Sequence, residues 1–366
     1  MIAYVVVCFL LIQFLALWIA IRFFWKRYDQ SKFIDPKVSI LIAARNEETQ
    51  LPRLLESLKT LDYPKELLEI LIVDDASQDQ TQSILYDWKK ESERHQVLTL
   101  SEADFGKLHP NGKANALAQL VMQATGDFFF FTDADCQVPR DWIKAGLSAF
   151  TDSKTGLVLG ITAVHGNRFL DRMQAMDWWN TLGLVKISTD LGFPATGLGN
   201  NMVVSREAYF QSGGFPNTAN SLTEDLELAR LIRKIGFKIR YQFTQNMLVK
   251  TKSEGSFRAL MQQRKRWMQG VMSLSIPWKI ALGLQFAYFP ALVYLIFHWP
   301  IVGYGIWMGK SLIQWSLNRI LAGRAGQKMR FTDGLLYDFY QFLTLTLTIL
   351  YYFWPQKTPW KSRKYP

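Results

Sequence analysis

The sequence predicts an α/β domain carried between apolar helices. Two observations set the outline. Short β-rich runs alternate with stretches of helical spacing over residues 37–273, and uncharged apolar runs stand on both sides of that stretch. The third observation is residues 126–136, Gly-Asp-Phe-Phe-Phe-Phe-Thr-Asp-Ala-Asp-Cys, a run apolar on both faces that stops at two carboxylates one residue apart. Such a run suits the central strand of a covered parallel sheet. The carboxyl end of such a strand is where an open α/β sheet binds its ligand.

Composition narrows the function classes. The chain has 366 residues, 49% hydrophobic and 14% aromatic, with a formal charge of +11. A basic excess suits nucleic acid, anionic lipid or phosphorylated substrates alike. Here the cations cluster beside apolar segments and no nucleic-acid module is present, so lipid ranks first and nucleic acid last. Two cysteines, Cys8 and Cys136, supply neither a disulfide framework nor a zinc site, and both are expected as reduced thiols.

In order, residues 2–21 carry no charge and are long enough to span a bilayer. A cleaved signal peptide fits less well, for want of a basic start and a small-residue cleavage site. Arg22, Lys26, Arg27 and Lys32 follow, which places the N-terminus outside and the next residues in the cytoplasm. Residues 38–44 form a first strand. Residues 46–58 form a helix with Leu51, Leu54, Leu55 and Leu58 at helical spacing. A strand over 68–73 ends in Asp74-Asp75, and Ser77, Asp79 and Thr81 lead into a helix near 80–93. A short strand at 97–100, a turn at Asn111-Gly112 and a helix over 113–124 precede the phenylalanine strand. Strands are expected again at 156–160, near 197–204 and at 238–242, with helices at 168–185 and 224–235 and a basic helix at 256–273. Strands alternating with helices indicate a mostly parallel sheet.

Beyond Lys279, residues 280–309 lack Asp, Glu, Lys and Arg but contain Pro290 and Pro300, and residues 339–354 form a second uncharged run. Lys310, Arg319, Arg324, Lys328 and Arg330 lie between them, and Lys357, Lys361, Arg363 and Lys364 follow. Both basic groups favour the cytoplasmic side, yet 280–309 is too short for two crossings. Re-entrant or interfacial helices reconcile this, as does one exception to the charge rule.

The candidate site residues each have an ordinary reading. Asp74-Asp75 alone is a turn or helix cap, and a lone Asp133-x-Asp135 arises often by chance. Parallel strands, however, bring both pairs to one sheet edge. Carboxylates there suit a hard divalent cation bound together with phosphate. Lys113, at a helix start, is either a solvated lysine or a point charge for an anion. Thr223-Glu224-Asp225 is either a cap with acids in the first turn or a source of a general base, Asp225. Gln263-Arg264-Lys265-Arg266-Trp267 suits an anionic lipid surface, and also a diphosphate clamp by Arg266 with Trp267 offering a flat face to a sugar.

Taken in order, Ala44-Arg45-Asn46-Glu47, Asp74-Asp75-Ala76-Ser77, Gly112-Lys113-Ala114-Asn115-Ala116-Leu117, Asp133-Ala134-Asp135, Thr223-Glu224-Asp225 and Gln263–Trp267 resemble the membrane-bound family-2 glycosyltransferases, among them cellulose, chitin and hyaluronan synthases and ceramide glucosyltransferase-like enzymes. The tail Trp360-Lys361-Ser362-Arg363-Lys364-Tyr365 also resembles an ending of that group, with Ser362 in place of a glycine. The resemblance implies a GT-A fold, Rossmann-like, and an inverting transfer from a nucleotide-diphosphate sugar, a UDP-sugar by preference, to a lipid or glycan acceptor at the membrane. It implies that Ala44, Arg45, Glu47, Asp74, Asp75, Lys113, Asp133, Gln263, Arg264 and Arg266 bind the donor. Asp133 and Asp135 would hold Mg²⁺ or Mn²⁺, Glu224 and Trp267 would meet the acceptor, and Asp225 would be the catalytic base. The expected organisation is an anchor at 1–24, a GT-A domain at 37–275, membrane or interfacial helices at 276–355 and a basic cytoplasmic tail at 356–366, in the plasma (inner) membrane. A processive polysaccharide synthase is the alternative enzyme, and a non-catalytic nucleotide-sugar-binding subunit of an export complex the alternative from another class. Asp104 and the 171–177 region are rival carboxylates outside the matching motifs.

Overall fold

The computed structural model describes residues 1–28, 35–194, 196–355, 358–360 and 363–365. Its elements begin with α1 (Ile2–Phe23), β1 (Val38–Ala44), α2 (Leu51–Lys59), β2 (Leu68–Asp75), α3 (Thr81–Lys89), β3 (His95–Leu100), α4 (Gly112–Val121) and β4 (Phe128–Asp133). They continue through β5 (Cys136–Gln137), α5 (Trp142–Leu147), β6 (Thr155–Leu159), β7 (Ile161–His165), α6 (Phe169–Asp190), β8 (Asn201–Ser205), α7 (Arg206–Gln211), α8 (Glu224–Lys234), β9 (Lys238–Tyr241) and β10 (Leu248–Lys252). Helices α9 (Phe257–Met272), α10 (Ile276–His298), α11 (Pro300–Arg324) and α12 (Phe331–Phe353) follow, then strands β11 (Thr358–Trp360) and β12 (Arg363–Tyr365). Two compact units result. A sheet unit holds residues 27–163 and 192–252, and a helical unit holds 1–26, 164–191 and 253–366. Residues 164–191 and 253–275, expected within one continuous domain, thus group with the terminal helices.

The sheet unit is built on a seven-stranded sheet in the order β3-β2-β1-β4-β8-β6-β9. Strand β8 runs antiparallel to both β4 and β6, while the remaining pairs are parallel, so the sheet is mixed with β8 as the one reversed strand. The phenylalanine strand β4 is fourth of seven. Its side chains alternate with the pleat. Phe128 and Phe130 meet the rings of Phe150 and Trp142, at 4.7 and 5.0 Å. Phe129 and Phe131 meet Tyr209 and Phe215, at 5.7 and 5.5 Å. Phe129, Phe130 and Phe131 are fully buried, each burial contributing about 1.5–3 kcal/mol. On β1 the alternate residues Val38, Ile40 and Ile42 share a cluster with Leu51, Leu54, Leu55 and Leu58 of α2 and Leu85 and Trp88 of α3. Helix α4 also packs on β1 and β2.

The helical unit carries three helices after α9 instead of two apolar runs. Pro290 lies inside α10 without ending it, and Pro300 opens α11. Among the described residues, α1 and α10 are the two helices long and apolar enough to cross a membrane. Helix α1 packs on α10 and α11, with Trp18 Nε1 donating to Ser316 Oγ at 3.2 Å. Polar pairs lock the rest. Arg172 on α6 binds both oxygens of Asp333 on α12, at 3.1 and 3.0 Å. Lys310 on α11 is bonded to Asp338 on α12 and to Gln314 at 2.7 Å, and Ser311 Oγ donates to the other Asp338 oxygen at 2.5 Å. The backbones of β11 and β12 pair as a hairpin. Lys361 and Ser362 of the expected terminal motif, and the basic residues Lys32 and Lys357, lie outside the described residues.

Candidate active site

Parallel pairing sets the geometry. Ala44 on β1 lies opposite Asp74 on β2, and Ala43 lies opposite Asp133 on β4. The acidic ends of β2 and β4 therefore flank the end of β1, on the one edge the sequence assigned to them.

The loops leaving β1 and β2 are stitched together. Asn46 N–H donates to Ser77 Oγ at 3.0 Å, and Asn46 Oδ1 accepts from Gln78 N–H at 2.8 Å. Glu47 N–H donates to Thr81 Oγ1 at 2.8 Å, and Glu48 N–H to Asp79 Oδ2 at 3.1 Å. Asn46 and Ala76 both sit in left-handed backbone, φ 52° and 53°. Asparagine visits that region readily, whereas alanine there costs about 1–2 kcal/mol, which the surrounding bonds must offset. The helix expected from residue 46 consequently starts only at Leu51. Arg45 is buried, with Nη1 donating to Asp75 O at 2.5 Å and Nη2 to Glu102 Oε1 at 2.9 Å. It braces the loops from beneath. Asp74 is almost fully buried, which raises its carboxyl above the usual range against the opposing bonds from Ser77.

Helix α4 is capped by Asn111, whose Oδ1 accepts from Ala114 N–H at 3.1 Å and whose Nδ2 donates to Ser221 O at 2.7 Å. That cap ties the start of α4 to the loop before α8. Lys113 Nζ lies 2.7 Å from Asp133 Oδ1 and 3.1 Å from Glu224 Oε1, with 16% of its side chain exposed. It is not the solvated surface lysine of the ordinary reading. Burial alone would lower its ammonium pKa, but the charges of Asp133, Glu224 and Asp225 outweigh that and hold it well above its usual value. Burial raises the Glu224 carboxyl, with Lys113 opposing. Glu224, expected at the acceptor, is engaged beneath this lysine.

Asp225 Oδ2 accepts from Gly199 N–H at 2.7 Å and Oδ1 from Leu226 N–H at 2.8 Å. A Cβ on Gly197 would lie 2.3 Å from the Asp225 carbonyl carbon, so only glycine lets this segment approach the start of α8. Thr223 makes no side-chain cap. Ser221 Oγ instead accepts the Thr223 N–H at 3.1 Å.

Antiparallel pairing of β10 with β5, Thr251 opposite Cys136, delivers a residue the sequence reading missed. Lys252 Nζ lies 3.5 Å from Asp135 Oδ2 and 3.7 Å from Glu47 Oε2. Cys136 is buried and unpaired, and burial with the neighbouring carboxylates of Asp135 and Asp133 pushes its thiol up. Among the described residues no group of three His, Cys, Asp or Glu side chains could hold a metal ion. The donor set is the carboxylates of Asp133 and Asp135, the first already on Lys113. That set fits a hard cation that takes its remaining ligands from phosphate and water, and does not fit a cation caged by protein alone.

Gln263, Arg264, Arg266 and Trp267 lie on α9, in the helical unit. Gln263 Nε2 donates to Glu254 Oε1 at 2.8 Å. Arg264 is bonded to Asp177, which also accepts from Tyr337 Oη, and its guanidinium lies over the Trp267 ring at 5.0 Å. Arg264, expected on a diphosphate, thus has an internal partner on α6. The rival carboxylates have local ones as well. Asp171 accepts from Ser253 Oγ at 2.6 Å, and Asp104 is closed by Ser101 and Lys107.

Residues 39–211 match the family described as Glycosyl transferase family 2, and residues 128–355 match Glycosyl transferase family group 2. The chain is 30% identical over 244 residues to a beta-monoglucosyldiacylglycerol synthase of Trichormus variabilis, across 64% of this chain and 49% of that protein. It is 28% identical over 238 residues to a poly-beta-1,6-N-acetyl-D-glucosamine synthase of Staphylococcus epidermidis, across 64% of this chain and 54% of that protein. The chain thus spans about half the length of the curated relatives it matches. Among solved structures, a mannosyltransferase from Pyrobaculum calidifontis in complex with GDP-Man and Mn²⁺ superposes with a TM-score of 0.61 at 18% identity, covering 97% of this chain and all of that one. That likeness shows the fold, a GT-A-like α/β arrangement with a mixed sheet.

Proposed function

We propose that this chain, which belongs to glycosyl transferase family 2, moves a hexosyl group with inversion from a nucleotide-diphosphate sugar, a UDP-sugar by preference, to a lipid acceptor at the membrane. The observation that carries the reading is the sheet edge on which Asp74-Asp75, Asp133 with Lys113, and Asp225 stand together within one unit. On this reading Asp74 and Asp75, with the stitched loop of Ala44, Arg45 and Glu47, take the base and ribose. Lys113 faces the diphosphate.

Transfer forms a bond from the acceptor oxygen to the anomeric carbon and breaks the bond from that carbon to the diphosphate oxygen, which leaves with the electron pair. Asp225 removes the acceptor hydroxyl proton from the face opposite the leaving group. The N–H groups of Gly199 and Leu226 hold both its oxygens, so the base is aimed before the acceptor arrives. Lys113 compensates the charge that develops on the diphosphate. Asp133 and Asp135 would hold Mg²⁺ or Mn²⁺, which when bound supplies Lewis-acid stabilisation of the same leaving group. The solved mannosyltransferase bound to GDP-Man and Mn²⁺ and the glucosyldiacylglycerol synthases support a nucleotide-sugar donor, a divalent cation and a glycerolipid acceptor. Helices α1 and α10 support membrane anchorage. Arg22 in the last turn of α1 and Lys26 just beyond it support a catalytic unit on the cytoplasmic side of the plasma membrane.

Purified full-length protein in detergent, screened against a panel of nucleotide sugars, should release nucleoside diphosphate from one of them. Release should require Mg²⁺ or Mn²⁺ and rise with added diacylglycerol. No release from any donor would overturn the reading. Similarity to the poly-beta-1,6-N-acetyl-D-glucosamine synthase favours a second reading, repeated extension of one glycan. A ladder of products in place of a single-sugar lipid would select it.

A further inference from the structure

Two segments of the sheet unit are joined by three rungs that advance in step. His109, Asn111 and Lys113 lie on the segment that enters α4, and Thr218, Ser221 and Glu224 on the segment that enters α8. His109 Nε2 lies 3.1 Å from Thr218 O, Asn111 Nδ2 donates to Ser221 O at 2.7 Å, and Lys113 Nζ lies 3.1 Å from Glu224 Oε1. The first two rungs end on backbone carbonyls, so they fix the path of the chain and not a rotamer. Asn111 N–H donates to His109 Nδ1 at 3.0 Å, which puts the ring proton on Nε2 and makes Nε2 the donor to Thr218. His109 is 2% exposed, and both of its nitrogens are used. Thr218 is where the partner segment leaves the core. Just before it, Phe215 packs on Phe131 at 5.5 Å, donates its N–H to Tyr209 Oη at 3.2 Å, and accepts from Thr218 Oγ1 at 2.8 Å. Thr218 is buried, whereas Ala219 and Asn220 beyond it are exposed. His109 thus grips the segment at the point where it leaves the core and runs on to Asp225.

We infer that His109 is a positioning residue for the transfer: its bond to Thr218 sets where the base, Asp225, stands relative to the leaving-group lysine, Lys113. The inference rests on the reading of Asp225 as the base and of Lys113 as the cation facing the diphosphate. On that reading the two segments carry opposite halves of one displacement. The segment entering α4 serves the oxygen that leaves, and the segment entering α8 serves the oxygen that attacks. Such a displacement depends on how the two halves are spaced, and a misplacement of about 1 Å can cost about 10²-fold in rate. The three rungs are not equivalent in holding that spacing. Lys113 to Glu224 joins two charged side chains, and a bound diphosphate competes for that lysine. The His109 rung joins a neutral ring to a backbone carbonyl in a buried place, so the charge of the donor does not compete for it.

The test uses full-length protein in detergent, with sites counted by calorimetric titration with UDP. Substitutions by the two amides divide the two bonds of His109. His109→Asn offers an acceptor to Asn111 N–H but is too short to reach Thr218. His109→Gln reaches Thr218 with its amide N–H and gives up the acceptor for Asn111. His109→Asn should lower kcat per UDP-binding site by about 10–10²-fold, with the donor KM and UDP affinity within about twofold of the parent. His109→Met, which fills the space of the ring without donating, should fall equally and serves where His109→Asn does not fold. His109→Gln should recover kcat to within about threefold of the parent. A histidine that only supports the fold would instead reduce the number of UDP-binding sites and leave kcat per site intact. That result, or an equal loss of kcat in all three variants, would overturn the inference. Asp225→Asn separates it from the reading beneath. If Asp225→Asn loses transfer while His109→Asn and His109→Met turn over like the parent, the positioning role falls and the base stands. If Asp225→Asn transfers like the parent, both fall.

Discussion

The two units treat buried charge in opposite ways. In the helical unit three cations close on acids of neighbouring helices. Arg172 takes both oxygens of Asp333, Arg264 is closed on Asp177, and Lys310 sits with Asp338, Gln314 and Ser311. At the sheet edge, Lys113 lies between Asp133 and Glu224, and Lys252 between Asp135 and Glu47, so each lysine is shared. A closed pair in a protected interior fixes helix against helix, and removing one partner is expensive. A shared lysine among surplus carboxylates can be exchanged for a ligand. On the proposed reading, the difference separates charges that hold the fold from charges that serve the chemistry.

Three substitutions test that separation. The largest effect should come from Asp225→Asn, which keeps an acceptor for one of the two N–H groups and removes the proposed base. Transfer should fall about 10²–10⁴-fold while UDP binding, read by calorimetry, stays within a factor of two. Full activity in this variant would move the proton transfer elsewhere. Next is the closed pair. Lys310→Met should destabilise the protein by about 3–5 kcal/mol, seen as a lowered melting temperature in detergent, and Lys310→Met with Asp338→Leu should recover most of it. If the single variant melts like the parent, the pair is not a lock. The smallest effect belongs to Asp152, at the outer edge of the sheet. Burial would raise its carboxyl, but the bonds from Lys238 and Thr155 and the charge of Arg240 outweigh that and bring it down to about 2. Because the folded pKa is depressed below the usual 3.8, its contribution is present above that value and lost as pH falls through about 2. With the side chain 35% exposed, screening limits the contribution to less than about 1 kcal/mol. Acid unfolding of Asp152→Asn should show a correspondingly smaller slope between pH 4 and 2, and an unchanged slope would dissociate Asp152 from acid stability.

How legible all this was depended on range along the chain. The phenylalanine strand, the leucines of α2 and the acidic strand ends announce themselves locally, and parallel pairing then brings Asp74 and Asp133 to the two sides of β1. What the sequence hid is non-local. Strand β8 is reversed because of the neighbours it pairs with, β4 and β6, and its own residues carry no mark of direction. The bond from Arg264 to Asp177 joins residues 87 positions apart, so a basic helix alone did not reveal that one of its cations faces inward. Lys252 belongs to a short strand with no strong alternation, and only its pairing with β5 gives it meaning. The late start of α2 has a cause that periodicity overlooks: the bonds from Asn46, Glu47 and Glu48 to the β2–α3 loop and the first residue of α3 take those residues out of the helix.

The place of β4 in the sheet has a kinetic consequence. Its backbone is hydrogen-bonded to β1 on one side and β8 on the other, and rings close over both faces. Amides so enclosed exchange with solvent only when the whole unit opens, while loops open far more often. Asp133 is the last residue of that strand. The carboxylate at its tip therefore rides on the slowest-opening part of the sheet unit, and heat should erase it last, after the stitched loops around it have already loosened.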